Sequence, residues 1–164
     1  MKTLLLGSTL LCLLASPAHA QLRKVDDLSL AAANKLADAA MAACQAQGRH
    51  IVVTVLDRGG NVVTVQRAEG VGPHNTEASR RKAYTALSTK NDTQALAVAA
   101  RGNPDMANLT TLPELLLLGG GLPLRARGEV VGAIGVAGGG GALQDRACAH
   151  AALAAIPELD SPTL

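Results

Sequence analysis

Aromatic side chains are almost missing from this sequence. It holds no tryptophan and no phenylalanine, and Tyr84 is its single tyrosine. That removes the stacked platforms on which single-stranded nucleic acids rest. It also leaves the core to Ala, Leu, Val and Ile. Charge of one sign is lacking too, with 15 basic against 13 acidic side chains. So small an excess gives no electrostatic case for nucleic acid or an anionic membrane. Catalytic signatures are absent: there is no HExxH, paired CxxC or GxSxG. Neither glycine run matches a Walker loop or GxGxxG. Asp57, Asp92, Asp105 and Asp145 offer carboxylates, but no pairing with a base follows from the sequence. His50 lies at the foot of a strand. Cys148 and His150 stand about 200° apart on a helix, so they cannot chelate one metal together. No catalytic residue is assigned.

What is present begins with a leader. Lys2 supplies a positive start, Leu4 to Leu14 an apolar stretch, and Ala18-His19-Ala20 a small-residue cleavage pattern. The stretch is too short to span a bilayer comfortably. Cys12 lacks the small residue before it that a lipoprotein site requires. The expectation is residues 1–20 as a signal peptide and a periplasmic or secreted mature chain from Gln21. About 144 residues then remain, enough for one domain (21–164) with a real core. The mature chain keeps Cys44 and Cys148. In an oxidising compartment they can form a disulfide; the alternative is two buried thiols packed as small apolar groups.

Hydrophobic periodicity orders the rest. Ser29 caps a helix to about Gln47, buried through Ala33, Leu36, Ala37, Ala40, Met41 and Cys44 and ended by Gly48. Ile51 to Leu56 is a β-branched run that reads as a strand covered on both sides. Asp57 to Asn61 turns it into a returning strand, Val62 to Gln66. After a loop from Arg67 to Asn75, Thr76 can cap a helix to about Ser88 and Asp92 a second through Ala100. The segment from Asn103 to Pro113 is irregular. A last helix runs from Ala142 to Ile156, with Leu143, Ala147, Ala151 and Ala154 on one side.

The glycine-rich block from Leu115 to Gly141 separates these helices. Leu115 to Leu118 reads as a first strand, ended by Gly119-Gly120-Gly121. Sheet-like sequence resumes at Leu122-Pro123-Leu124, turns over Arg125 to Gly128, and returns from Glu129 to Val136. Gly132 and Gly135 leave room for close approach of another backbone, a helix or a ligand. Gly119 to Gly121 fits a tight β connection, while Gly138 to Gly141 opens a helix whose amides can meet an anion. Two hairpins with helices around them give an α+β domain built on an antiparallel sheet.

Few residues stand out for chemistry. His74, between Pro73 and Asn75, is a loop imidazole that can ligate a haem iron or a metal, or simply be solvated. Arg80, Arg81 and Lys82 fan over roughly 200° of one helix, so at least one must lean toward the apolar side or a neighbouring subunit. Their functional reading is pairing with the carboxylates of a bound ligand. Their structural reading is a solvated face plus an ion pair, with Asp57 or Glu77 as the partner. Thr110 and Thr111 carry hydroxyls that ordinarily bond their own backbone.

The block LLLLGGGLPLRARGEVVGAIGVAGGGG, with GPHNTEASRRKAYTA upstream, resembles the haem-binding HbpS/GlcG-like family. The C-terminal domain of propanediol-utilisation PduO-type proteins is similar. The resemblance runs from about Leu28 to Ile156. It implies a profilin-like or PAS-like sheet with helices against it, a homo-oligomer, and haem as the cofactor. It also implies ligand contact along the His74 loop and the helix that follows. A hydroxyl iron ligand in at least one member makes Thr111, with Thr110, the nearest counterpart here.

Three functions then compete. The first is an exported haem-binding protein for capture, buffering or redox sensing, using His74 and Thr111 for iron and Arg80, Arg81 and Lys82 for propionates. The second is a haem-degrading enzyme, or an accessory in small-acid metabolism as the glycolate-operon relatives suggest. The third is a non-catalytic, oligomeric binder of small molecules, favoured by the missing aromatics, since haem pockets often use them for contact area.

Overall fold

The computed structural model describes residues 22–160. The leader and its cleavage point lie outside the described residues. Four strands form one antiparallel sheet in the order β2-β1-β4-β3. These are β1 (Val52–Asp57), β2 (Val62–Arg67), β3 (Gly121–Ala126) and β4 (Glu129–Ala137). Helices α1 (Leu30–Gln45) and α5 (Ala142–Leu153) cover one face, and α2 (His74–Thr89) covers the other. Helix α3 (Thr93–Gly102), a short α4 (Pro104–Ala107) and a 3₁₀ turn over Asn108–Thr111 link α2 to the second hairpin.

Side-chain alternation explains the layering. Val53 and Val55 of β1, with Ile134 and Val136 of β4, point into the larger core under α1 and α5. Leu56 and Ala133 point the other way, onto Ala83 and Ala86 of α2. The sheet is therefore covered on both sides along β1, as the unbroken apolar run requires. Ser29 and Asp92 accept their caps as expected, from the amides of Ala32 and Gln94. Cys44 and Cys148 are joined in a disulfide that ties α1 to α5, which resolves the open choice between a bond and two thiols.

Gly135 does what its missing bulk suggested. A Cβ there would collide with the carbonyl oxygen of Ser79 and lie 2.6 Å from the amide nitrogen of Ala83. Both are helix backbone and cannot swing away. Gly135→Ala should therefore destabilise by about 3 kcal/mol, the upper end of ordinary overpacking. Gly102→Ala, where a Cβ meets nothing within 4 Å, should stay within about 0.5 kcal/mol. Urea unfolding of the two variants checks the contrast.

Several sequence expectations change. Leu115 to Leu118 is not a strand. Side chains take ladder positions on its backbone: Arg81 donates to Leu115 O, Thr85 Oγ1 accepts from Leu116 N, and Thr93 donates to Leu118 O, while Leu115 N and Leu118 N bond locally to Leu112 O and Leu116 O. The hairpin read from Leu122–Leu124 and Glu129–Val136 is present as β3–β4. Pro123 fits β3 because that strand is at the sheet edge and needs no second ladder. The turn is only Arg127-Gly128, both at positive φ (52° and 78°), which suits a two-residue hairpin. Thr76 does not cap α2. The helix already starts at His74 after Pro73, whose fixed φ favours a helix start. On α5 the stripe Leu143, Ala147, Ala151 and Ala154 faces outward, and Asp145, Cys148, Ala149, Ala152 and Leu153 form the buried face.

Candidate functional site

Helix α2 carries most of the residues singled out by the sequence. His74 occupies its first turn and is exposed. Gly72 leaves room for the ring, since a Cβ there would lie 3.1 Å from His74 Cε1. An exposed imidazole in this position can accept a metal or a haem iron.

The three consecutive cations divide as helical geometry demands. Arg80 sits half-exposed between two carboxylates, 2.7 Å from Glu77 and 2.7 Å from Glu114. Hydrogen bonds to both acids raise its already high pKa, and the bond from Arg80 holds Glu77 below the usual carboxylate range. Arg81 donates from Nη2 to Leu115 O at 2.7 Å, and its buried Nε has no hydrogen-bond partner. Lys82 is the cation that leans inward, and it is 1% exposed. Its Nζ donates to Asp145 Oδ2 at 2.7 Å and to Val136 O at 3.0 Å. The other oxygen of Asp145 accepts from the amide of Gly139 at 2.7 Å.

Lys82 is thus a structural residue in this chain. It fastens α2 to β4 and to the first turn of α5. A propionate-binding role for it does not match that burial, because the ammonium has no path to the surface and is already neutralised. The Gly138–Gly141 turn was expected to offer amides to an external anion. At Gly139 the anion is the protein's own Asp145. The triple glycine Gly119–Gly121 packs against Lys82: a Cβ on Gly120 would lie 3.1 Å from its Nζ.

Thr110 and Thr111 lie exposed in the 3₁₀ turn. Each hydroxyl donates to its own backbone, to Ala107 O and Asn108 O, both at 2.8 Å. Glu114 and Leu115 then dock this segment on Arg80 and Arg81. His74 stands six residues before Arg80, about 9 Å along the helix axis. The fold therefore groups His74, Arg80 and Arg81 along α2, anchors the Thr111 segment beside the arginines, and withdraws Lys82. None of the five main depressions on the described surface includes any of these five residues.

Asp145 and Glu114 were missed as partners. The signal for Asp145 was thin: a lone acid in the first turn of an alanine-rich helix, directly after four glycines. Among the described residues no group of three His, Cys, Asp or Glu side chains could hold a metal ion. No helix there is long and apolar enough to cross a membrane.

Comparison with known proteins agrees with this architecture. Streptomyces reticuli HbpS, solved as a double mutant, is 38% identical, with a TM-score of 0.77 over 87% of this chain and 97% of that one. A complex of PduOC with haem is 26% identical, with a TM-score of 0.74 over 84% of this chain and 99% of the other. An uncharacterised 15.0 kDa protein of Citrobacter freundii, from a dhaT–dhaS intergenic region, is 34% identical over 84% of this chain and 97% of its own length. The model of the family described as haem degrading protein HbpS-like matches residues 28–154. The sequence, the antiparallel α+β fold and these matches agree: the chain belongs to the HbpS-like family.

Proposed function

We propose that this protein is an exported haem-binding protein that captures, buffers or senses haem outside the cytoplasm. The observation that carries the reading is the exposed imidazole of His74 at the head of α2, in a chain of the HbpS-like family. Haem is an apolar plate with two carboxylates and an iron, and it supplies redox and ligand-binding chemistry when held. The residues present fit it in part. His74 offers the imidazole, and Thr111 is a weaker second ligand because its hydroxyl already has an acceptor. Arg81, with its unpartnered buried Nε, and Arg80, which would have to share itself with Glu77 and Glu114, offer donors for propionates. Lys82 drops out of the set.

His74 and Arg80 lie on a helix surface rather than in a depression, so one chain alone covers little of a haem. A second copy closing over the plate supplies the missing wall, which supports a homo-oligomer. The disulfide supports export, since such bonds persist in oxidising compartments.

Titrating the mature chain, Gln21 to Leu164, with haemin tests the reading. The expected result is a Soret shift that saturates at a fixed ratio of haem to chain. A gradual change without saturation would set the proposal aside. The family description favours a second reading, haem degradation. It predicts loss of the Soret band under a mild reductant and oxygen; bound haem that stays intact for hours would count against it.

A further inference from the structure

At the far end of α2 from His74 lies a cleft of about 310 Å³, lined by the α2–α3 link, strand β3 and helix α5. We infer that this cleft binds a small organic carboxylate, held by Arg125 and Lys90, with His150 meeting a second polar group on the same molecule.

The cations carry the argument. Arg125 has five N–H donors. It donates to carbonyls only, Gly128 O at 3.1 Å and Lys90 O at 2.9 Å. Among the described residues neither Arg125 nor Lys90 pairs with a carboxylate within 4 Å. The two acids in the lining are already engaged. Asp92 binds Arg146 and caps Gln94, and Asp160 accepts from the amides of Arg127 and Gly128. Asp92 is neutralised by Arg146, while Asp160 is held by backbone amides alone, so Lys90 and Arg125 together outweigh it and leave the lining with a net positive charge that favours an anion.

His150 supplies the second observation. Its Nε2 is buried, lacks a hydrogen-bond partner, and stands 3.9 Å from Asp92 Oδ2. A buried polar atom left without a partner calls for an explanation. A ligand atom in the cleft gives one. Burial, then the charge of Arg146, hold this histidine below its ordinary pKa against the pull of Asp92. It is therefore neutral near pH 7 and suited to a hydroxyl or carbonyl rather than a second charge. Leu122 and Leu153 provide an apolar floor. At ~30 Å³ per water-sized atom the volume admits a molecule of about ten heavy atoms. The site does not depend on the haem reading. It sits at the opposite end of a 16-residue helix, about 24 Å away.

The test is backbone-amide NMR of the mature chain with propionate, lactate and propionamide as probes. Saturable shifts confined to residues 90–95, 122–125 and 149–153 are expected with propionate. Propionamide, which lacks the charge, should bind at least about ten-fold more weakly. Arg125→Gln should weaken propionate by a similar factor. Lys90→Gln, on an exposed side chain, should weaken it several-fold with the fold intact. Lactate should bind several-fold more tightly than propionate, and His150→Leu should abolish that preference. Equal shifts from propionate and propionamide, shifts that never saturate, or shifts at the His74 end alone would each overturn the assignment.

Discussion

Lys82→Met should be among the most damaging single substitutions in this chain, costing about 3–5 kcal/mol. The physical reason is what it leaves behind. Asp145 is 4% exposed and would be left buried with no cation beside it. Val136 O would lose a donor as well. For a domain of this size such a loss lowers the melting temperature by on the order of 10–20 °C. Adding Asp145→Leu to Lys82→Met should recover much of the loss, because both charges are then gone. Recovery should be incomplete, because the amide of Gly139 loses its acceptor, at about 1–3 kcal/mol. Arg80→Gln provides the contrast. Its ion pairs are half-exposed, and their removal should cost no more than about 1 kcal/mol. Thermal melts of the four proteins measure all of this. Equal melting temperatures for Lys82→Met and Arg80→Gln would contradict the burial argument.

Breaking the disulfide should come next. Cys44 and Cys148 are separated by 104 positions in sequence. Closing a loop of about that length in the unfolded chain is worth up to about 4.7 kcal/mol in the chain-entropy account, with 2–5 kcal/mol the usual range. Cys148→Ser should therefore lower the urea midpoint by an amount matching about 4 kcal/mol. Prolonged reduction should produce a similar drop in the parent protein and none in the variant. A parent protein indifferent to reductant would mean that the bond does not contribute in solution.

Much of the fold was legible because periodicity and caps agree. Ser29 and Asp92 announced their helices, and Ile51 to Leu56 announced a strand buried on both faces. The strand read at Leu115 to Leu118 was wrong for a definable reason. Four leucines before three glycines have strand composition, but Leu115 O, Leu116 N and Leu118 O are met by Arg81, Thr85 and Thr93 from elsewhere in the chain. No local pattern encodes that. The split among Arg80, Arg81 and Lys82 was half legible. Helical geometry required at least one of them to lean toward the apolar side or a neighbouring subunit, but which one turns inward depends on Asp145, 63 residues away. His150 was set aside because it cannot share a metal with Cys148. Its nearness to Asp92 and its place in a cleft with Arg125 arise only when α5 packs against β3.

The proposed role of His74 is to hold haem iron on the outer face of α2. A haemin titration of His74→Ala beside the parent chain, read as the Soret spectrum and the affinity, decides whether it does. The account predicts a changed Soret position and at least about ten-fold weaker binding, with thermal stability unchanged because His74 is exposed. An identical spectrum and affinity would contradict it and remove His74 as the ligand.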